Sequence, residues 1–337
     1  MNTPVHNSPL PPWVAQQRDS LLAQRGHAWL LQGPSGLGQY SLAMELARAW
    51  LCDAPTAQGA CGECASCHAI NVHGHADLCL LMPEALMIEM GWPLSEKAQS
   101  EIDDKKRKPS KEIRVEAMRD AVEFTQRTSG RGRGKAVLVY PAECMNVITA
   151  NALLKTLEEP PGDVKFVLAT SAAHHLLPTV RSRCMGHNMV WPDKSVSNDW
   201  LRSQGVSAAD ASVLLAATGS RPEDALHWAR AGRTAQTWSA IPRAVGQGVL
   251  TSFADWTPAQ VVDALQKLCH DLLLVRVGAA PRFFAPHDLP ASPPLAALTQ
   301  WSKDLNATAR VVEHPFNAGL LLESLVGRAQ TVLNSRP

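Results

Sequence analysis

Four cysteines within sixteen residues, Cys52, Cys61, Cys64 and Cys67, constrain this chain more than any other feature. Their Cys-x8-Cys-x2-Cys-x2-Cys spacing contains two consecutive C-x2-C steps. Each step is short enough for neighbouring sulfurs to reach one tetrahedral ion at about 2.3 Å. The fourth thiolate closes the shell and leaves no open position for water, so a structural zinc is expected and not a Lewis-acid catalyst. An iron–sulfur cluster is the rival reading of the same thiolates, and His68, His73 or His75 lies near enough in sequence to replace one sulfur. A deaminase-type zinc site would need a His-x-Glu partner upstream, and the chain has none. Clustered cysteines also indicate a reducing, cytoplasmic setting with metal instead of disulfides.

At 337 residues, two or three domains are expected. With 45% hydrophobic and 19% charged residues the chain can bury an ordinary core. A net charge of +1 gives no global basic field for nucleic acid. No stretch approaches the ~20 apolar residues of a membrane span. The segment Met1 to Pro12 lacks the basic start and apolar run of a secretory signal.

His27-Ala-Trp-Leu-Leu-Gln32 reads as a buried strand running into Gly33, and Ser41 to Leu51 carries a helical apolar stripe through Leu42, Leu46, Ala49 and Trp50. Lys135–Tyr140 and Val164–Ala169 are further buried strands. Asn151 to Glu159 between them reads as a helix, with Lys155 and Glu159 on one face and Pro160-Pro161 as a stop. Alternation of this kind predicts a parallel α/β sheet flanked by helices. Residues 95–114 are charged and without apolar period, which predicts a solvated insertion loop; a DNA or partner contact through Lys105 to Lys108 is the sharper alternative. After Trp191-Pro192 the pattern becomes helical: short helices around Gly219-Ser220, a long one through Val261, Val262, Leu265, Leu268, Cys269, Leu272 and Leu273, and a last one near Ala318 to Leu333. The expected layout is a core over 1–191 with a metal module at 52–67, a small helical lid over 192–235 and an all-α domain over 236–337.

Gly33-Pro-Ser-Gly-Leu-Gly38 has the glycines of a G-x4-G phosphate loop placed between strand and helix. A working loop continues with Lys, which neutralises the β- and γ-phosphates, and then with a Ser or Thr hydroxyl for Mg²⁺. Here those positions hold Gln39 and Tyr40, and Ser41 lies one residue late, about 100° around the helix. The strand over Lys135–Val139 should be followed by a metal-holding acidic pair, but the chain reads Tyr140-Pro141-Ala142-Glu143. Two separate losses predict a degenerate site without functional ATP binding, although the loop's backbone N–H groups could still favour an anion.

The run Asn151-Ala-Leu-Leu-Lys-Thr-Leu-Glu-Glu-Pro-Pro161, the strand ending Leu168-Ala-Thr170, and Ser182-Arg183-Cys184 together resemble the AAA+ clamp-loader family of bacterial replication. The resemblance covers residues ~20–235 by motif and extends loosely to Asn317–Glu323; the cysteine module matches the zinc module of the same family. It implies an AAA+ core with zinc module, helical lid and all-α collar. It also implies that Arg183 is an arginine finger acting in trans on a neighbour's ATP, with Arg181 as its substitute if the register differs. The missing lysine and acidic pair resemble the family's non-hydrolysing member, not its gamma/tau motors. Glu223, standing where a sensor arginine would precede Ala225-Leu226, agrees, with Arg221 offset. Thr170 and Ser171 fall in a sensor region with no evident role. The implied role is a stator in the DNA polymerase III holoenzyme, with gamma/tau ATPase and delta subunits as partners and with the sliding clamp and primer–template DNA reached through the complex. Two other classes are weighed. An ATP-hydrolysing gamma/tau-type motor would show turnover by the isolated chain, and a zinc-ribbon nucleic-acid binder would show tight, salt-dependent DNA binding.

Overall fold

The computed structural model describes residues 10–312, 314 and 317–335; Met1 to Pro9, within the segment read above for a secretory signal, lies outside them. The chain divides into two compact units, residues 1–192 and 193–337.

The first unit is built on five parallel strands in the order β2-β3-β4-β1-β5: β1 Ala28–Gln32, β2 Leu78–Leu81, β3 Lys135–Val139, β4 Val164–Thr170 and β5 Met185–Asn188. β3 and β4 are buried almost throughout because helices cover both faces of the sheet, which is why they read as continuous apolar runs and not as alternation. On one face Ala28, Leu30, Val137, Val139, Phe166 and Leu168 pack with Met118 and Ala121 of α6 (Val115–Gln126) and with Ala150, Leu153 and Leu157 of α7 (Val147–Glu158). α1 (Pro12–Leu22) packs on α2 (Gln39–Leu51), and α2 packs on β1, β3 and β4.

Two sequence expectations are corrected. α7 begins at Val147, one turn before Asn151, because Asn146 caps it by accepting the Thr149 backbone N–H. It ends at Glu158, so Glu159, non-helical at φ −130°, cannot share a helical face with Lys155. The charged segment 95–114 is not a loop throughout. Glu96–Asp103 forms a helix, α5, with Ser95 accepting from the Ala98 N–H. Arg107 then anchors the following turn through Glu84 (Nη2 to Oε1, 2.8 Å) and Glu101 (Nε to Oε2, 2.7 Å). Lys105 and Lys106 stay exposed. Low apolar content concealed a helix held by its cap and by ionic contacts.

Before β3, a buried ion pair fixes a glycine-rich turn. The Asp77 carboxylate accepts from the N–H groups of Gly130 (2.8 Å) and Arg131 (2.9 Å), from Ser129 Oγ (3.0 Å) and from Lys135 Nζ (3.3 Å). Asp77 and Lys135 are both buried. Burial alone would raise the Asp77 pKa, but these donors hold it below the usual value. Asp77→Ala leaves Lys135 charged and unpaired in the interior and should lower stability by about 3 kcal/mol. A urea midpoint unchanged from that of the parent would rule this out.

The second unit is helical, with no strand among its described residues: α8 Pro178–Arg181 closes the first unit's helices, and α9 Lys194–Ser203, α10 Ala208–Ala217, α11 Pro222–Arg230, α12 Ala235–Ser239, α13 Ile241–Gln247, α14 Pro258–Arg276, α15 Leu295–Ala309 and α16 Ala318–Leu333 follow. The stripe read from α14 is buried at Val261, Val262, Leu265, Leu268, Cys269 and Leu272. Trp228, Trp238, Trp256 and Phe284 form a ring cluster, with Arg233 stacked 4.1 Å over Trp256. Asp271, fully buried, accepts from the backbone N–H groups of Arg282, Phe283 and Phe284.

Candidate functional site: a glycine loop, a cysteine cluster and an arginine at the helix end

β1 delivers the chain to Gly33, and Gly38 caps α2 in the left-handed region at φ 95°. A Cβ at Gly33 would lie 2.8 Å from the Met189 Cβ, so that position admits no side chain without movement. The backbone of a phosphate loop is therefore retained, but its interior is used differently. Gln39 is buried, and its Nε2 donates to the carbonyls of Gly33 and Pro34 at 2.7 Å each. The amide thus folds back over the loop, where a lysine would reach outward to phosphate. Trp13 Nε1, donating to Leu37 O at 2.8 Å, ties α1 to the same loop.

Tyr40 does not face a metal position as a compact hydroxyl would. Its ring packs against Tyr140, centroids 5.3 Å apart, and its hydroxyl accepts from Trp92 Nε1 at 2.9 Å. Burial pushes the phenol up to about 12, so it stays protonated at neutral pH. The chain's two tyrosines therefore meet where the Mg²⁺ hydroxyl and the first acidic residue of a working ATPase belong. Glu143 is engaged as well: its Oε1 accepts from Ser171 Oγ (2.7 Å) and Ser171 N (3.0 Å), joining the turn after β3 to the end of β4. Ser171, without evident role in the sequence, is that carboxylate's partner.

The four cysteine sulfurs lie within 4.8 Å of one another. Cys52 Sγ is 3.5 Å from Cys61 Sγ and 3.8 Å from those of Cys64 and Cys67. A tetrahedral ion bound at about 2.3 Å has sulfur–sulfur edges near 3.8 Å, so the donor set fits one such ion. Backbone N–H groups of Cys61, Cys64 and Cys67 point at Cys52, Cys61 and Cys64 sulfurs respectively, favouring thiolates. Burial raises Cys67 to about 12; at Cys64 burial is outweighed by the Cys67 and Asp53 backbone N–H groups, which bring it to about 7. The histidines are placed elsewhere: His68 is exposed, His73 stacks on Trp92 at 3.7 Å, and His75 Nδ1 accepts from Asp77 N. α3 (Ala65–Asn71) follows directly, with Ser66 donating to Asp53 at 2.7 Å and Arg131 reaching Ser66 Oγ at 3.2 Å.

Arg183 follows α8. Its Nη2 and Nε both donate to Glu158 Oε2, at 2.8 and 3.1 Å, and its Nη1 donates to Thr179 O at 3.1 Å. Arg181 is exposed, and Cys184 is packed against the core with its thiol pushed up to about 12 by burial. Arg221, in the second unit, donates to Thr218 O and pairs with Asp224. Gln39's inward fold and the partners Trp92, Tyr140, Glu158 and Ser66 were not legible in the sequence. The one available signal was that a chain with two tyrosines places both at the degenerate positions.

A parallel sheet with a strand–glycine loop–helix at its first βα turn, accompanied by a helical second unit, is the architecture of a nucleotide-binding type of α/β core joined to a helical domain. The family model described as DNA polymerase III, delta subunit matches residues 16–190, a little over half of the chain, and the chain belongs to that family. DNA polymerase III subunit delta' of Pseudomonas aeruginosa is 37% identical over 261 residues, covering 77% of this chain and 65% of that protein. DNA polymerase III subunit tau of Escherichia coli is 34% identical over 159 residues, 47% of this chain and 21% of tau. The chain thus spans a little under two thirds of the length of the P. aeruginosa relative. Among solved structures, a DNA polymerase III gamma subunit-related protein from Thermotoga maritima superposes with a TM-score of 0.52 at 16% identity, over 96% of this chain and all of that one. That likeness is one of fold. No helix among the described residues is long and apolar enough to cross a membrane.

Proposed function

We propose that this chain is the non-hydrolysing, delta'-type subunit of a bacterial clamp loader: a stator within the DNA polymerase III holoenzyme that completes a neighbouring ATPase site and does not run one of its own. The observation that carries the reading is Gln39, whose amide closes onto the Gly33 and Pro34 carbonyls inside a loop that otherwise keeps its phosphate-binding backbone. Family membership over residues 16–190 supplies the replication context, and relatives named both delta' and tau make gamma/tau-type ATPase subunits the natural neighbours. In this reading Arg183 is the arginine finger, and the delta subunit, sliding clamp and primer–template DNA are reached through the assembled complex. The helices over 192–235 serve as a lid and those over 236–337 as the collar. Cys52, Cys61, Cys64 and Cys67 hold a structural Zn²⁺, and the protein works in the cytoplasm.

The physical basis is that the Gln39 amide, turned onto the Gly33 and Pro34 carbonyls, offers a triphosphate no positive charge, and that Tyr40 and Tyr140 stand in place of the compact hydroxyl and carboxylate that hold Mg²⁺. Calorimetric titration of the isolated chain with ATP and Mg²⁺ should show no heat of binding up to millimolar nucleotide. Micromolar binding would sink the stator reading and reopen that of a motor, to be followed by a turnover assay.

A further inference from the structure

The guanidinium of Arg183 is held by two contacts that leave part of it free. A guanidinium carries five N–H donors. Three are engaged: Nε and one N–H of Nη2 on the single oxygen Oε2 of Glu158, and one N–H of Nη1 on the Thr179 carbonyl. By count, one N–H remains on each terminal nitrogen. Glu158 therefore grips the group from its Nε side, while Thr179, in α8, steadies Nη1. The backbone at Glu158 is anchored. This residue is the last of α7, Pro160-Pro161 end that helix, and Leu157 beside it is fully buried. A carboxylate at a helix C-terminus is disfavoured by the helix dipole, and the adjacent guanidinium offsets that penalty, so each charge has a local reason to stay by the other.

Both side chains remain partly open to solvent, at 29% and 59% exposure. Such a pair contributes little to stability, and its ordering effect on the arginine is the larger consequence. Resting on the reading of Arg183 as the finger, we propose that Glu158 is its positioning residue. It restrains the guanidinium through the Nε side, so that one N–H on each Nη nitrogen is presented to the γ-phosphate of the ATP bound by the adjoining subunit. Preorganising a charged group in this way contributes to turnover more than to nucleotide affinity, because the developing charge appears in the transition state.

The test uses the complex reconstituted with its ATPase and delta subunits, sliding clamp and primed DNA, with clamp- and DNA-stimulated ATP hydrolysis as the readout. Glu158→Ala should lower kcat about 10-fold at the site that Arg183 faces and leave KM for ATP within about 2-fold. Glu158→Gln, which keeps an acceptor oxygen, should recover most of that loss. In an Arg183→Ala background, Glu158→Ala should cause no further loss, because its effect passes through the arginine. Unchanged or faster turnover with Glu158→Ala overturns the proposal, as does an equal loss in the Arg183→Ala background. A neutral Arg183→Ala would instead remove the finger reading itself, and the positioning role with it.

Discussion

Arg183→Ala is expected to reduce hydrolysis at the neighbouring ATPase site by about 10³-fold, or about 4 kcal/mol of transition-state stabilisation, while the complex still assembles. Charge spreads over the oxygens of a transferring γ-phosphoryl group, and a guanidinium with free N–H donors stabilises it where water would have to reorganise. The native contacts of Arg183, a solvent-accessible pair with Glu158 and one bond to the Thr179 carbonyl, are together worth about 1 kcal/mol, so removing them should lower thermal unfolding by no more than a few degrees. Fold and function are thereby separable in one variant. The measurement is single-turnover hydrolysis by the reconstituted complex with primed DNA and clamp, where one site's share of ATP should remain uncleaved. Wild-type kinetics at every site, with assembly intact, would leave Arg183 as a surface ion pair and nothing more. Arg181, exposed in α8, would then be tested in its place.

The second large effect concerns the cysteine cluster. Purified protein should carry about one zinc per chain, and Cys67→Ser should abolish it. Structural zinc in small modules contributes about 10–16 kcal/mol of apparent binding free energy at neutral pH, and in such modules that energy is folding energy. Besides the cluster, the segment between Cys52 and Cys67 is held by a few polar contacts, chiefly those of Asp53 with Ser66 and of Thr56 with Gly59. Its strand content is one isolated bridge between Thr56 and Gly59, and its regular structure begins only at α3, where Cys64 is the helix cap. Loss of the ion should therefore melt the segment and release the Ser66–Asp53–Arg131 contacts, while the sheet, whose core is formed by other residues, survives. Because thiolates are the ligands, chelation should strip the metal more readily as pH falls. Hydrogen exchange over residues 52–71, compared between holo protein and Cys67→Ser, is the direct readout. Unchanged protection in a zinc-free preparation would refute the structural role.

Much of this was readable from sequence because it depends on local chemistry. Cysteine spacing predicts a shared ion because two intervening residues bring sulfurs within a few ångströms wherever the chain lies. Gly33 and Gly38 predict a tight loop because glycine alone needs no room for a Cβ, as at Gly33, and readily takes a left-handed backbone, as at Gly38. Gln39 and Tyr40 predict lost chemistry because a missing positive charge cannot be restored by folding. β1, β3 and β4 were legible as buried apolar runs. β2 and β5 were not, since each has four residues and β5, Met-Gly-His-Asn, is mostly exposed at the edge of the sheet. The helix in the charged segment 95–114 was missed for a related reason: it buries no residue, so it carries no apolar period to detect.

What tertiary structure alone decided is which distant residues share a space. Tyr40 and Tyr140 are 100 residues apart in sequence, yet the parallel strands β1 and β3 carry the chain to the same carboxyl end of the sheet, where Tyr40, at the start of α2, packs on Tyr140. Trp92 reaches the Tyr40 hydroxyl from a segment with no local signal for it. Glu158 and Arg183 meet because α7 runs back along the sheet to end beside α8. The sequence determined that Gln39 and Tyr40 stand where a phosphate loop carries Lys and a hydroxyl, and that four thiols lie close enough along the chain to share a metal, since both are properties of residue type and spacing. The structure decided that Tyr40 packs on Tyr140 and that Arg183 is held by Glu158 and Thr179 with donors to spare, since both depend on long-range packing that no local pattern encodes.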